Sequence, residues 1–203
     1  MYLVDGGTES ALIDSGAGAS ADLILDNITG AGLDLALIKY VIITHGHIDH
    51  IGGLPVMKQR LTATIAAHEL ELPAVEQAIP KLTAASWYGV DYKGVRVDAV
   101  LRDPMEPIQV GALSLHFVHI PGHTVGGIAV YLDTDGRRVL FGQDIHGPFN
   151  SDWGSDISQW KLSMHKLLEL KADILCEGHF GIYTPAAEVE KYITGYLERF
   201  GDK

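Results

Sequence analysis

The chain has 203 residues, a formal net charge of -11 and 47% hydrophobic residues, which is typical of one globular domain. No apolar run approaches the roughly 18 residues that a membrane span requires, and the acidic balance argues against a surface that binds nucleic-acid phosphates. Because no linker or change of composition divides the sequence, we expect a single domain over residues 1–203.

The first part of the chain alternates predicted strands with predicted helices. Two short strands, 1–4 and 10–16, flank the turn sequence DGGTE, which is typical of a hairpin. The run LIKYVIIT at 37–44 is unbroken and rich in β-branched residues, which predicts a strand that is buried on both faces. Spacing and Gly or Pro boundaries predict helices over 21–29, 54–60 and 71–79 and a further strand over 62–68.

The second part begins with a series of short predicted strands separated by Pro, Gly and Asp turns. These strands cover 95–101, 107–111, 112–120, 127–133 and 137–142. The sequence next predicts a helix capped by Ser155, a strand over 172–178 and a final helix opened by Thr184 and Pro185. Strands in two batches with helices between them predict two β-sheets, each covered by helices on its outer face.

A cluster of titratable residues follows the buried strand at 37–44. The sequence THGHIDHIGG places His45, His47, Asp49 and His50 within six residues. Imidazoles and carboxylates at such close spacing are the ligands that zinc and iron prefer, whereas a surface loop that is rich in histidine by chance is the less favoured interpretation. His45 and His47 can point the same way in an extended turn, while Asp49 and His50 can point elsewhere, so two adjacent ligand sets are geometrically feasible.

Three distant residues could complete a metal site, and each follows a predicted strand. His123 lies in HIPGHTVGG, Asp144 in LFGQD and His179 in CEGHFG. Taken singly, each is more often a polar turn residue or a cap than a ligand. Their recurrence after separate strands favours a shared role, because loops at strand ends commonly carry functional side chains.

The pattern HxHxDH, together with PGHT, GQD and GH further along the chain, resembles the metallo-β-lactamase superfamily and, within it, the glyoxalase II-like hydrolases. The resemblance runs in order through nearly the whole chain. It implies an α/β fold, a four-layer αβ/βα sandwich of two mixed β-sheets with outer helices. The motifs are specific for the fold and the metal site and much less specific for the substrate.

The resemblance also implies a metal-ligand set and a mechanism. It assigns His45, His47 and His123 to one metal, Asp49, His50 and His179 to the other, and Asp144 to a bridging position. Two Zn²⁺ ions are expected, with iron or manganese as alternatives. The paired ions would lower the pKa of a shared water, and the resulting hydroxide would attack a small thioester, lactone or ester. Asp49, beside this nucleophile, is the predicted catalytic residue.

Other chemistries of the superfamily fit the sequence less well. The best-known lactamases carry a cysteine where this chain has Asp144, and Cys176 lies in a predicted strand, where we expect a buried core thiol. Diiron oxygen reductases usually carry a glutamate in place of His47 and have a flavin domain, and nucleases add segments that handle nucleic acid. A metal-binding protein without turnover is ranked lower, because open coordination suits catalysis. Only about twenty residues follow FGIYTP, so recognition of glutathione is in doubt.

The main alternative is an oxidoreductase. Persulfide dioxygenases of the same fold hold one iron with two histidines and one carboxylate, which on this chain would be His45, His123 and Asp144. The remaining ligand positions do not exclude this use, because such relatives often keep them.

Three further features have weaker signals. His146 could contact the substrate or support a ligand, and Tyr183 could donate a hydrogen bond to a leaving group, although packing is the favoured role for Tyr183. The aromatic segment SWYGVDY at 86–92 could line a pocket, with core packing as the default expectation.

The expected partner is a small-molecule substrate, without nucleic acid or membrane. The absence of a secretion signal and the single cysteine favour the cytoplasm. The chain opens directly inside a strand, so an exposed sheet edge could pair with a second copy in a homodimer.

Overall fold

The computed structural model describes residues 1–201, and their contacts divide them into two units. The first unit comprises Met1–Arg102 and Gln109–Ala112, and the second comprises Asp103–Ile108 and the chain from Leu113 onward. Each unit contains its own cluster of buried apolar side chains. The expectation of a single domain over residues 1–203 stays a prediction.

The sheet of the first unit has five strands in the order β1-β2-β3-β4-β5. Their bounds are β1 Tyr2–Asp5, β2 Ser10–Ile13, β3 Ile38–Ile43, β4 Thr64–His68 and β5 Ala99–Leu101. The predicted hairpin is confirmed, because β1 pairs antiparallel with β2. The strands from β2 to β5 run parallel. The carboxyl ends of β2, β3 and β4 therefore meet at one edge of the sheet.

Six short helices connect or cover these strands: α1 Ala21–Gly30, α2 Ile48–Ile51, α3 Leu54–Arg60, α4 Leu72–Val75, α5 Pro80–Thr83 and α6 Ala85–Tyr88. The predicted helices α1 and α3 are confirmed. Leu25 of α1 and Met57 of α3 join Val41 and Ile43 of β3 in the buried cluster of this unit. The apolar face of each helix thus covers the sheet, as the spacing predicts.

Several elements of the first unit are shorter than predicted. β2 ends at Ile13 and not at residue 16. The helix expected over 71–79 covers only Leu72–Val75, and Ala78 has a positive φ of 51°. Ile79 is extended, as is typical of a residue before proline. The strand expected over 95–101 covers only Ala99–Leu101. The backbone amide of Val95 donates instead to the carbonyl of Val75. The backbone amide of Val97 donates to the carboxylate of Glu76.

The second sheet has the order β11-β10-β9-β8-β7-β6. Its strands are β6 Ile108–Val110, β7 Leu113–His119, β8 Ile128–Thr134, β9 Arg137–Gln143, β10 Ile174–Glu177 and β11 Ile182–Tyr183. β8 is antiparallel to β7 and β9, and β10 is parallel to β9. β7, β9 and β10 consequently end at the same edge of the sheet.

Two long helices, α7 Ile157–Glu169 and α8 Ala186–Phe200, cover this sheet. Trp160 of α7 and Ile193 of α8 are buried with Leu140 and Leu175. Both helices were predicted, but the predicted cap is wrong. The carboxylate of Asp156, not the hydroxyl of Ser155, accepts the free amides at the start of α7.

Both sheets are mixed and both have helices packed against them, as predicted. Among residues 1–201, no helix combines the length and apolar character that crossing a bilayer requires.

Candidate metal centre

The loop that follows β3 gathers three imidazole rings. The ring centroids of His45 and His47 are 4.7 Å apart, and those of His45 and His50 are 4.0 Å apart. All three histidines are buried, and Asp49, which lies on helix α2 with His50, is partly exposed. The carboxylate of Asp49 lies 3.7 Å from Nε2 of His50. These four predicted ligands thus form one group within the first unit, called here the first cluster.

The spacing of the ring nitrogens suits a tetrahedral metal ion. Nε2 of His45 lies 3.2 Å from Nδ1 of His47. Two nitrogen ligands at about 2.05 Å from one tetrahedral zinc are about 3.3 Å apart. The buried imidazoles therefore fit the donor set of a divalent cation in both chemistry and separation.

Asp14 supports the first cluster and was missed by the sequence analysis. Its carboxylate lies 2.7 Å from Nδ1 of His50 and accepts bonds from the amide and hydroxyl of Thr44. With Nδ1–H donated to Asp14, Nε2 of His50 is the nitrogen that can bind a metal. Asp14 directly follows β2, so the signal for it was a carboxylate at the end of a strand parallel to β3.

Glu71 holds the other side of the loop and was also missed. Its buried carboxylate accepts a hydrogen bond of 2.8 Å from the amide of Gly46, between the first two histidines. A Cβ at position 46 would lie 2.4 Å from that of Ala74. The loop therefore requires glycine at 46, because α4 packs directly against its backbone.

A second cluster, formed by His123, Asp144, His146 and His179, lies within the second unit. Asp144 follows β9 immediately, and His179 lies two residues after β10. His123 lies in the loop after β7. Because these three strands end at the same edge, residues distant in sequence come together there.

Asp144 lies between the two histidines of this cluster. Its Oδ2 is 3.6 Å from Nε2 of His123 and 3.2 Å from Nε2 of His179. Oδ1 is 3.1 Å from the same nitrogen of His179. The carboxylate is buried, with 7% of the residue exposed. One carboxylate in reach of two imidazoles has the arrangement of a shared ligand.

The ring of His123 is fixed by the backbone. Its Nδ1 lies 2.7 Å from the carbonyl oxygen of Pro148, to which it can donate. Nε2 is then left as the nitrogen that can bind a metal. The hydroxyl of Ser155, wrongly predicted as a helix cap, donates to the carbonyl of His123 over 2.6 Å.

Glu177 organises the loop of His179 and was missed because it lies inside a predicted strand. One carboxylate oxygen is 2.6 Å from Nδ1 of His146, and the other accepts bonds from the amides of His179 and Phe180. The edge of the His146 ring contacts that of His179, with centroids 5.5 Å apart. His146 thus lies against a predicted ligand and is held there by a buried carboxylate.

Gln143 is strained beside Asp144. Its φ of 47° is uncommon for a residue with a side chain. Its buried amide has no hydrogen-bond partner for nitrogen or oxygen among residues 1–201. A Cβ at Gly178 would lie 2.8 Å from that amide oxygen. Strain and unpaired polar groups of this kind concentrate at functional sites.

Two further residues considered from the sequence, Tyr183 and Cys176, lie in strands of the second unit. Tyr183 lies in β11, its ring 4.2 Å from that of Tyr192, and burial raises its pKa. Its role as a donor to substrate stays a prediction. Cys176 is a buried free thiol in β10, as predicted, and burial raises its pKa to about 11. A thiol in that state is a poor nucleophile.

The side chains of the two clusters indicate which ions they could bind. The predicted ligands in both clusters are histidine and aspartate side chains, whose nitrogen and oxygen atoms could hold metal ions. Imidazole and carboxylate together suit zinc, iron and manganese. The chain therefore has clusters suited to divalent metal ions.

Proteins of related sequence are metallo-hydrolases and thioesterases by name. A probable metallo-hydrolase of Bacillus subtilis, YybB, is 26% identical over 88% of this chain and 79% of its own. The acyl-coenzyme A thioesterase MBLAC2 of Gallus gallus is 26% identical over 99% of this chain and 79% of its own. The hydroxyacylglutathione hydrolase GloC of Haemophilus influenzae is 26% identical over 90% and 84%.

Solved structures share the fold. A B3 metallo-beta-lactamase with an active-site glutamic acid superposes with a TM-score of 0.82 at 22% identity, covering 97% of this chain and 80% of its own. The B3 enzyme BJP-1 of Bradyrhizobium japonicum gives 0.83 at 22% identity, covering 98% and 84%. At this identity the likeness concerns the fold alone, and it confirms the predicted αβ/βα sandwich.

The sequence pattern that describes the Metallo-beta-lactamase superfamily matches residues 1–179. The match extends over most of the chain and contains every predicted metal ligand. The chain therefore belongs to the metallo-beta-lactamase superfamily.

Proposed function

We propose that the protein is a dinuclear metal hydrolase of small thioesters, with lactones and other small esters as weaker substrates. His45, His47 and His123 would hold one metal, and Asp49, His50 and His179 the other, with Asp144 shared between them. Zinc is the proposed metal, with iron or manganese as alternatives, because histidine and aspartate are common ligands of catalytic zinc.

The observation that carries the dinuclear proposal is the position of Asp144. Its Oδ2 is within 3.6 Å of Nε2 of His123 and within 3.2 Å of Nε2 of His179. The family resemblance assigns these two histidines to different metals. A carboxylate that approaches both is the expected bridging ligand, whereas a mononuclear iron site would use only one of the two histidines.

The choice of thioesters is supported by two relatives. One is named an acyl-coenzyme A thioesterase and the other a hydroxyacylglutathione hydrolase. Both names describe a substrate in which an acyl carbon is joined to sulfur. At 26% identity these names support the reaction class and not a particular acyl or thiol group.

The residues of the chain and the bound ions would have different roles in this reaction. Bound divalent ions supply an activated water and polarise the acyl carbonyl. Asp49, partly exposed on α2, would accept a hydrogen bond from the attacking water and orient it. The water oxygen bonds to the acyl carbon, the carbon–sulfur bond breaks, and the products are a carboxylate and a thiol.

Metal analysis and a substrate panel test the proposal. Protein purified either in the presence or in the absence of oxygen should contain two zinc ions per chain, as measured by elemental mass spectrometry. It should hydrolyse thioesters faster than lactones or phosphodiesters and should not consume oxygen with glutathione persulfide. A single iron with oxygen uptake would establish the dioxygenase instead.

Two matched variants test the ligand assignment. Asp144→Ala should lower the metal content well below that of His146→Ala, because only the first side chain is a proposed ligand. Equal losses in both variants would contradict the assignment.

A further inference from the structure

The first unit contains a cavity of about 520 Å³ beside the turn that carries Asp49 and His50. This volume falls in the range of about 300–1,000 Å³ that holds small organic ligands. None of the proposed metal ligands lines the cavity. Its wall is mostly apolar, with contributions from Ala17, Ala19, Ile48, Pro55, Tyr88 and Val90.

One wall of the cavity is fixed to helix α2. The amide and the hydroxyl of Ser15 each donate to the carbonyl of His50 over 2.7 Å, and the amide of Gly53 donates to Gly16 over 2.9 Å. A Cβ at Gly18 would lie 2.8 Å from the carbonyl oxygen of Gly52. The backbones thus pack directly on each other, and the helical turn that carries two proposed ligands also forms cavity wall.

The cavity lining also includes exposed large apolar side chains of segment 86–92, for which pocket lining was the alternative to the default expectation of core packing. Tyr92 of this segment does pack against the core. Tyr88 is 54% exposed and Val90 is 46% exposed. Behind them, the hydroxyl of Tyr92 donates to the carbonyl of Val75 over 3.0 Å, which anchors the segment. Exposed apolar groups on an anchored wall are typical of a ligand site formed in advance.

The charges at the cavity cancel. Among residues 1–201, the charged residues that line the cavity are Asp91 and Lys93, and both are exposed. A ligand group in the cavity would therefore meet apolar surface without a net attraction for either charge. This favours an uncharged hydrocarbon group.

We propose that this cavity binds the apolar acyl chain of the substrate, so that medium-length acyl thioesters are preferred over acetyl thioesters. The inference rests on the proposed function, because the reacting carbonyl must reach the metal ligands on α2. The acyl chain would extend from there along Ile48 toward Tyr88 and Val90.

A chain-length series tests this inference on the zinc-loaded protein. The substrates are acetyl, butanoyl, hexanoyl and octanoyl thioesters of N-acetylcysteamine, which share one leaving group. Burial of each added methylene should raise kcat/KM by about fourfold until the cavity is filled. A flat series would overturn the inference while leaving thioester hydrolysis intact, whereas no turnover of any thioester would contradict the proposed function.

A cavity-filling variant has a matched control. Ala19 and Ala36 are each the exposed middle residue of a three-residue 3-10 helix, but only Ala19 lines the cavity. Ala19→Trp should lower the octanoyl-to-acetyl ratio of kcat/KM by about tenfold or more, and Ala36→Trp should leave it unchanged. Equal effects of the two variants would overturn the inference.

Binding without turnover gives an independent readout. Octanoate should bind the metal-free protein in calorimetry, and both Ala19→Trp and Val90→Ser should weaken this binding. Val90→Ser keeps the test valid if the tryptophan variant does not fold. If Val90→Ser instead dissociates a dimer and leaves octanoate binding intact, the wall is an interface between copies and the inference is wrong.

Discussion

At the scale of single residues, the predicted ligands are held by carboxylates and carbonyls that sequence reasoning did not find. Asp14 fixes the ring of His50, the carbonyl of Pro148 fixes that of His123, and Glu177 fixes that of His146. Each partner restricts which ring nitrogen carries the proton. Loss of such a supporting contact commonly lowers metal affinity by about 10–100-fold.

Replacing Asp14 by Asn tests this support. Asn tolerates the φ of 65° at this position, so the backbone should be kept. The amide loses the charge that faces His50, and we expect metal affinity to fall by about 10–100-fold. Competition with a chromophoric chelator measures the affinity.

Asp34→Asn is the matched control for this variant. Asp34 caps a 3-10 helix by accepting the amide of Ala36 over 2.9 Å, and Asn caps helices equally well. Metal affinity should not change in this control. If Asp14→Asn also binds metal with unchanged affinity, Asp14 does not support the ligand.

At the scale of elements, parallel strands explain why the clusters form where they do. β2, β3 and β4 end together near Asp14, His45 and Glu71. In the second sheet, β9 and β10 end together near Asp144 and His179. The direction of the strands, and not local sequence, brings these side chains to a common edge.

The start of helix α7 is an element whose stability should depend on pH. The hydrogen bond from the Ser158 hydroxyl, and to a lesser extent that from the Gln159 amide, lower the pKa of Asp156. Because the folded pKa is lowered, this stabilisation is present above the unfolded value of about 3.9 and is lost as the pH falls through the folded value.

We therefore expect Asp156→Ala to lower Tm by about 2–4 °C at neutral pH. The difference from the unaltered protein should shrink in acid, where the protonated carboxyl keeps only an uncharged cap. Scanning calorimetry across pH 7 to about pH 2.5 measures it. Asp156→Asn, which also keeps an uncharged cap, should show a smaller loss at neutral pH that disappears in acid, and an equal loss in both variants at every pH would contradict this role.

At the scale of the whole molecule, the proposed ligands are drawn from residues 45 to 179. Such a ligand set comes together only when the chain is folded, so metal binding adds to the stability of the folded state. The small-molecule substrate, the cytoplasmic location and the homodimer stay predictions.

Removal of metal should therefore lower the thermal stability. A free metal concentration of about 1,000 times Kd adds about 4 kcal/mol, which corresponds to about 8–16 °C in Tm for a chain of this size. Calorimetry before and after dialysis against a chelator measures the shift. Asp144→Ala should show a much smaller shift, and an unchanged Tm on chelation of the unaltered protein would refute the coupling.

Hydrophobic period and turn residues predicted most elements, because they are local signals. The fold class and the family followed from the resemblance of the ligand motifs to a known superfamily, and the HxHxDH ligands were recognisable because their spacing is short. Two errors of the sequence analysis concern the ends of helices. The helix expected over 71–79 ends at Val75, and Asp156 caps α7 in place of Ser155.

Only the tertiary structure revealed Asp14, Glu71 and Glu177 as supporting residues, and only it decided that Tyr88 and Val90 line a cavity and do not pack into the core. A carboxylate that binds a histidine thirty or more residues away leaves no periodic trace in the sequence. The sequence likewise does not distinguish an aromatic side chain that faces the core from one that faces the solvent. Sequence determined which groups could perform the chemistry, and strand direction and packing decided which groups hold them in place, because those contacts exist only after the chain has folded.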